Sequence, residues 1–163
     1  MSRSPAAHAV VDLDGGIILA KIDIAAPPER VYRALTDAAE VPTWWGAPEV
    51  YRTESWAADL RVGGAWKATS RSVDGTLFVV GGEYLALDPP RRIVQSWRAD
   101  WDGGTETRLT ITIDPVAAGS RVTVRHEGFA GRRDSCADHG AGWEQVLEWL
   151  AKHLAPPRAS ATR

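Results

Sequence analysis

His126 is the ionisable side chain in this sequence that is best placed to act on a small molecule. It ends an alternating run in which Val122 and Val124 occupy the same side of a predicted strand, so we expect its ring on an inner, apolar face. There it could donate a hydrogen bond to a ligand oxygen, or act as an acid or base near neutral pH. It could equally serve the fold, by bonding to a backbone carbonyl or to a glutamate.

Glu83 is a second ionisable candidate. It alternates with Leu85 and Leu87, and this pattern favours an inward carboxylate. Beside His126 such a carboxylate would form an acid–base pair. A β-bulge at Gly81-Gly82 would instead reverse the face on which Glu83 lies. The sequence leaves both alternatives open.

The sequence offers little support for a metal site or a catalytic nucleophile. Cys136 and His139 lie three residues apart at a predicted helix start, and a metal site there would need Asp134 or Asp138 as further ligands. The paired spacings typical of zinc sites, and the GxSxG and GxGxxG motifs, do not occur in the sequence. We therefore predict no metal, no cofactor and no catalytic nucleophile, with Cys136 as a buried small thiol.

The sequence contains eight tryptophans, more than its three tyrosines and two phenylalanines together. Tryptophan combines a large apolar surface with one N–H donor, which suits the wall of a cavity. Trp44 and Trp45 are adjacent, and neighbouring side chains on a helix diverge by about 100°. We expect one of these indoles to anchor a short helix and the other to lie at a cavity mouth.

Length and charge exclude several classes of partner. A chain of 163 residues favours one domain with room for both a core and a cavity. The net charge is −2, from 19 basic and 21 acidic residues that are interspersed, so we expect no nucleic-acid or anionic-membrane partner. The sequence contains no run of about 18 apolar residues, so we expect no membrane insertion. A single cysteine suits a reducing compartment. The sequence predicts a cytoplasmic protein.

The hydrophobic pattern predicts strands at the start, a long run of strands in the middle and a helix at the end. Val10–Leu13 could pair with a strand at Ile17–Ile24, which is followed by a helix opened by Pro27-Pro28. Asp37 and Glu40 resemble a capping pair for a second short helix. Short turns leave no room for crossover helices, so the sheet is antiparallel. The later predicted strands are Glu49–Ala57, Ala65–Ser72, Leu77–Leu87, Ile93–Trp101, Thr107–Asp114 and Arg121–His126.

The last element is predicted as an amphipathic helix. Ser135 and Asp138 resemble a capping box at its start. Gly140 and Gly142 each cost about 1 kcal/mol relative to alanine inside a helix. Close backbone approach, or space left beneath the helix, would account for them. Its apolar stripe has the spacing i, i+3, i+4, i+7 and consists of Trp143, Val146, Leu147, Leu150 and Leu154.

Several motifs, taken in order, resemble the START-like helix-grip superfamily, also called SRPBCC or birch-pollen-allergen-like. Within it they resemble the activator of heat-shock protein 90 ATPase homologue-like family. The resemblance implies an α+β helix-grip fold, β-α-α-β6-α, in which a curved antiparallel sheet wraps around a long C-terminal helix. We expect a flexible segment at 1–16, one domain at 17–154 and a disordered tail at 155–163. The motifs are Ile24–Asp37, Trp44-Trp45-Gly46, Asp59–Trp66, Gly82–Leu85, Asp88–Val94, Trp97, His126–Phe129 and Gly142-Trp143.

The resemblance also implies a cavity between the sheet and the long helix. We predict that it binds an apolar or aromatic small molecule. An enzyme similar to polyketide cyclases and aromatases is the alternative, and a partner that stimulates a chaperone ATPase is the next. Two or more inward polar groups converging on one point would favour the enzyme, and an apolar lining would favour the binding protein. The predicted lining is Trp44, Trp66, Phe78, Trp97, Leu109, His126, Trp143 and Val146.

Overall fold

The computed structural model describes residues 6–156, and most of these residues belong to one sheet and one long helix. The helices are α1 (Pro28–Thr36), α2 (Val41–Trp44) and α3 (Arg133–Leu154), with a 3-10 turn at Asp100–Asp102. The strands are β1 (His8–Asp12), β2 (Ile17–Ile24), β3 (Gly46–Ala47), β4 (Tyr51–Ala58), β5 (Ala65–Ser72), β6 (Leu77–Asp88), β7 (Arg92–Ala99), β8 (Thr107–Val116) and β9 (Gly119–Glu127).

All neighbouring strands of the sheet are antiparallel, in the order β1-β2-β9-β8-β7-β6-β5-β4-β3. The sheet is curved, and α3 lies in its concave side. This architecture confirms the predicted α+β helix-grip fold. β2 and β5 have the predicted bounds, and the other predicted strands differ from the observed ones by a few residues at their ends.

The sheet begins earlier than the domain predicted at residues 17–154. β1 pairs with β2 through a turn in which the N–H of Gly15 donates to the Asp12 carboxylate at 2.9 Å and Gly16 has a φ of 71°. β1 itself lies within residues 1–16, the segment that the sequence predicted to be flexible. Residues 157–163, most of the predicted tail, lie outside the described part of the chain.

Both edges of the sheet are protected from further strand pairing. The N–H group of Ala9 on β1 donates to the Glu144 carboxylate on α3 at 2.9 Å, and that of Ala7, just before the strand, donates to the Glu148 carboxylate at 3.1 Å. The other edge strand, β3, is only two residues long. Covered or very short edges disfavour association with another strand.

The predicted stripe of α3 is buried on the sheet. Leu147 and Leu150 pack into a core with the inner residues of β2, β8 and β9. The helix begins at Arg133 rather than at the predicted cap Ser135, and its start has no side-chain cap. Within residues 6–156 no helix is both long and apolar enough to cross a membrane.

The α1–α2 connection is fastened to the end of α3 by Glu40. The Asp37 carboxylate accepts from the N–H groups of Ala39 and Glu40, as a cap does. The Glu40 carboxylate does not return the predicted capping bond, because it pairs with Arg30 at 2.6 Å and with His153 at 2.7 Å. Burial favours its protonated form, but the bonds from Arg30 and His153 outweigh burial, so the pKa of Glu40 is lowered.

Candidate functional site

A cavity of about 200 Å³ lies between the first half of α3 and strands β4 to β7. The sheet supplies one wall, with Tyr51, Thr53, Trp56, Ala68, Ser70, Phe78, Val80 and Trp97. The other wall consists of residues from α3, from the 3-10 turn and from the position just after α2: Trp45, Trp101, Asp138, His139, Gly142, Trp143 and Val146. Trp101 is 52% exposed, so its ring lies at the mouth.

Four of the eight residues predicted to line a cavity do so. Phe78, Trp97, Trp143 and Val146 belong to its walls, and their contact with a ligand remains a prediction. The other four are buried behind the walls: Trp44, Trp66, Leu109 and His126.

The adjacent tryptophans face two different surfaces. Trp44 ends α2, and its indole N–H donates to the carbonyl of Ala34 on α1 at 2.9 Å. Trp45 follows in an extended conformation, so its indole turns into the cavity and donates to the Tyr51 hydroxyl at 3.0 Å. The anchor is therefore Trp44 and the cavity residue is Trp45, the reverse of the predicted lining.

A β-bulge explains why Trp66 does not reach the cavity. The register of β4 on β5 shifts between Thr53 and Ser55, so Thr53 and Trp56 both point inward although they are three residues apart. Trp56 thus covers Trp66, with ring centroids 5.2 Å apart and planes at 24°. Period-two reasoning along β4 misses this arrangement.

His126 lies on the inner face, as predicted, but the ring is completely buried behind the cavity wall. Trp143 donates its indole N–H to His126 Nδ1 at 3.0 Å. Nδ1 therefore has no proton of its own, and Nε2–H donates to the Thr107 hydroxyl at 2.7 Å. That hydroxyl in turn donates to the carbonyl of Trp97 at 3.2 Å.

His139 is held in the same way, in the opposite tautomer. Its Nδ1 lies 2.8 Å from the carbonyl of Ser135, which can only accept, so Nδ1 carries the proton. Its Nε2 accepts the indole N–H of Trp97 at 3.3 Å. Each imidazole therefore has one nitrogen occupied by an indole donor and the other occupied by an oxygen.

Burial lowers the pKa of both histidines. For His126, removal from water keeps the pKa well below its usual value, and repulsion from His139, when that ring is protonated, and from Arg132 acts in the same direction. For His139, burial lowers the pKa and outweighs the bond to the Ser135 carbonyl. Both rings are thus neutral at physiological pH and have no free nitrogen with which to receive a substrate proton.

The other predicted ionisable candidates lie outside the cavity. The Glu83 side chain is exposed on the outer face of β6, so it forms no pair with His126. Cys136 is buried, with its sulfur 3.9 Å from the carbonyl of Asp12. Across residues 6–156, no three His, Cys, Asp or Glu side chains group as ligands for a metal ion.

The two glycines of α3 have different neighbours. A Cβ on Gly140 would lie 2.5 Å from Cγ2 of Val11 on β1, so this glycine permits close approach of strand and helix. A Cβ on Gly142 would have no heavy atom within 4 Å, and Gly142 lines the cavity. One glycine allows contact and the other leaves space, so both explanations considered from the sequence apply.

Comparison with known proteins supports the fold and identifies the family. Residues 25–155 match the family model described as Activator of Hsp90 ATPase homolog 1-like protein. The chain belongs to this family. No curated protein matches the chain.

Solved structures extend the family comparison. Protein CV1439 from Chromobacterium violaceum is 32% identical, over 86% of this chain and 98% of that one, with a TM-score of 0.71. Protein Ms6760 from Mycobacterium smegmatis is 21% identical over 98% and 99%, with a TM-score of 0.78. DynU16, described as a protein of the dynemicin biosynthetic locus, is 22% identical over 85% and 47%, with a TM-score of 0.68. The last two likenesses are evidence of fold alone.

Proposed function

We propose that this family member binds an apolar or aromatic small molecule in the cavity under α3. The supporting observation is the composition of the walls: five tryptophans, with Tyr51 and Phe78, enclose about 200 Å³. A cavity of about 150 Å³ accommodates benzene, so this one suits a molecule of one or two fused rings. The proposed location is the cytoplasm, as the single cysteine indicates.

The hydrogen bonding of the walls favours binding over catalysis. Acid–base catalysis needs a group that can gain or lose a proton within reach of the substrate. Every ring nitrogen of His126 and His139 already has a partner. The lining also includes the carboxylate of Asp138, which is exposed at the rim of the cavity. There it can attract a ligand, but it does not surround a bound one.

A cyclase-like enzyme is the second candidate. It is supported by the shared fold with DynU16 and by the hydroxyl groups of Tyr51, Thr53 and Ser70 in the sheet wall. Such an enzyme would convert a bound polyketone chain, whereas a binding protein would release it unchanged. Incubation with a short aromatic polyketide precursor, followed by mass spectrometry of the released molecule, separates the two. A chaperone-stimulating role has its support in the family description alone.

The direct test is native mass spectrometry of the protein purified from cells. We expect a co-purified molecule of one- or two-ring size on the wild type. Gly142→Leu should lose it, because the new side chain occupies the cavity. Ala137→Leu is the matched control, since it adds the same side chain to an exposed position of α3. Equal occupancy of the Gly142→Leu and Ala137→Leu variants would contradict the proposal.

A further inference from the structure

We propose that the sheet wall of the cavity contains a hydrogen-bonding site for a ligand oxygen, formed by the hydroxyl groups of Tyr51, Thr53 and Ser70. The ligand is then an aromatic molecule with a phenolic hydroxyl or a carbonyl oxygen, rather than a plain hydrocarbon. This inference rests on the proposed function and makes its ligand class more specific.

The three hydroxyl groups are placed together by the sheet. Thr53 on β4 and Ser70 on β5 are cross-strand partners in the antiparallel register. Tyr51 precedes Thr53 by two residues, so it lies on the same face of β4. All three residues line the cavity, and Thr53 and Ser70 are only 6% and 4% exposed.

Their hydrogen-bonding capacity is only partly used. The Ser70 hydroxyl donates to Thr53 Oγ1 over a long 3.4 Å, and this is the one bond that either hydroxyl forms with residues 6–156. The Thr53 O–H therefore has no acceptor in the described chain. Tyr51 Oη accepts from the Trp45 indole at 3.0 Å, and its own O–H likewise has no acceptor among those residues.

This arrangement contrasts with the hydroxyl of Thr107, which is buried behind the wall. Thr107 both accepts from His126 and donates to the Trp97 carbonyl, so its hydroxyl is satisfied. An O–H group removed from water without an acceptor is destabilising, and a hydrocarbon ligand would leave the O–H groups of Thr53 and Tyr51 in that condition, although both oxygens already accept a bond. A ligand oxygen at this wall would accept from them, and a phenolic hydroxyl could also donate to Ser70 Oγ.

Two probes of nearly equal shape test the inference. In 2-naphthol a hydroxyl replaces the methyl group of 2-methylnaphthalene, and both match the proposed size. Their dissociation constants are measured by NMR titration for the wild type, Thr53→Val and Thr53→Val/Ser70→Ala. Thr69→Val is the control, because it removes a hydroxyl from the opposite face of β5.

We expect the preference for 2-naphthol over 2-methylnaphthalene to fall by about three- to tenfold in Thr53→Val, as for one lost neutral hydrogen bond. It should fall further in the double variant and stay unchanged in Thr69→Val. If far-ultraviolet circular dichroism shows that a Thr53 variant is unfolded, the single variant Ser70→Ala replaces it in the comparison. A preference that stays within twofold of wild type in all cavity variants overturns the inference and leaves the proposed function intact. Failure of both probes to bind the wild type overturns the proposed function as well.

Discussion

The space under α3 differs between the two halves of the sheet. Beneath one half, aliphatic residues of β2, β8 and β9 meet the leucines of the helix, and Ile113, Val122 and Leu150 are fully buried. Beneath the other half, indole rings from β4, β7 and α3 surround a cavity. The same helix therefore closes one side of the molecule and leaves the other open.

The difference follows from the side chains. Branched aliphatic residues interdigitate at the density of a solid, and Gly140 brings Val11 still closer to the helix. Indoles are large, rigid and need an acceptor for their N–H. Trp97 and Trp143 find theirs on the two histidines, and these bonds fix the orientation of two indole rings in the cavity wall.

The largest expected effect is on stability, and it distinguishes Trp143 in the cavity wall from Trp101 at the cavity mouth. Trp143→Ala should lower the free energy of unfolding by about 3–5 kcal/mol, because a buried aromatic ring is lost and His126 loses a donor. Trp101→Ala, at an exposed ring, should cost less than about 1 kcal/mol while weakening 2-naphthol binding. Urea melts of both variants provide the comparison. A cost under about 1 kcal/mol for Trp143→Ala would show that the wall does not depend on this ring.

The second effect is acid destabilisation from the buried histidines. Since the pKa of His126 is lowered in the folded protein, the unfolded chain binds more protons below about pH 7, and stability falls as pH falls. Between pH 7.5 and 5.5 we expect the free energy of unfolding to fall by an amount on the order of 1 kcal/mol because of His126. His139 adds to it in the same direction. Urea melts across this range measure the slope.

His126→Gln is the control for that slope. An amide oxygen can accept from Trp143 and an amide N–H can donate to Thr107, but the group does not titrate. The variant should therefore lose less stability between pH 7.5 and 5.5 than the wild type does. An unchanged slope would mean that His126 is not the source.

The smallest effect contrasts the two glycines. Gly142→Ala should raise stability by up to about 1 kcal/mol, because alanine favours the helix and the new methyl group meets no atom. Gly140→Ala gains the same propensity, but its Cβ would meet Val11 at 2.5 Å, and such overpacking costs about 1–3 kcal/mol. In thermal melts, the melting temperature should rise above that of the wild type for Gly142→Ala and should be lower for Gly140→Ala than for Gly142→Ala. Equal gains would contradict the assigned contact.

The sequence predicted the fold well, because the long alternating strands and the leucine stripe of α3 depend on local periodicity. It also predicted that Trp44 and Trp45 face different surfaces. Which of the two lines the cavity depends on the backbone angles at the end of α2. The spacing of residues along the sequence does not specify these angles.

The cavity lining was harder to predict. The bulge after Thr53 breaks the period of β4 and brings Trp56 inward. His126 lies on the predicted face, but nothing in a single sequence reveals that an indole N–H and a threonine hydroxyl occupy its nitrogens. The alternation of Trp66, Ala68 and Ser70 on β5 would have allowed the inward position of the Ser70 hydroxyl to be predicted from the sequence.

Indole N–H resonances test the central claim most directly, because the chain holds its own controls. Five tryptophans line the cavity: Trp45, Trp56, Trp97, Trp101 and Trp143. The other three, Trp44, Trp66 and Trp149, lie outside its lining. In a proton–nitrogen NMR titration with 2-naphthol, we expect the five cavity signals to shift together and to saturate, while the other three stay nearly constant. Shifts of Trp44 and Trp149 as large as those of Trp97 and Trp143, or no saturable shift in the five, would contradict binding of an aromatic molecule in this cavity.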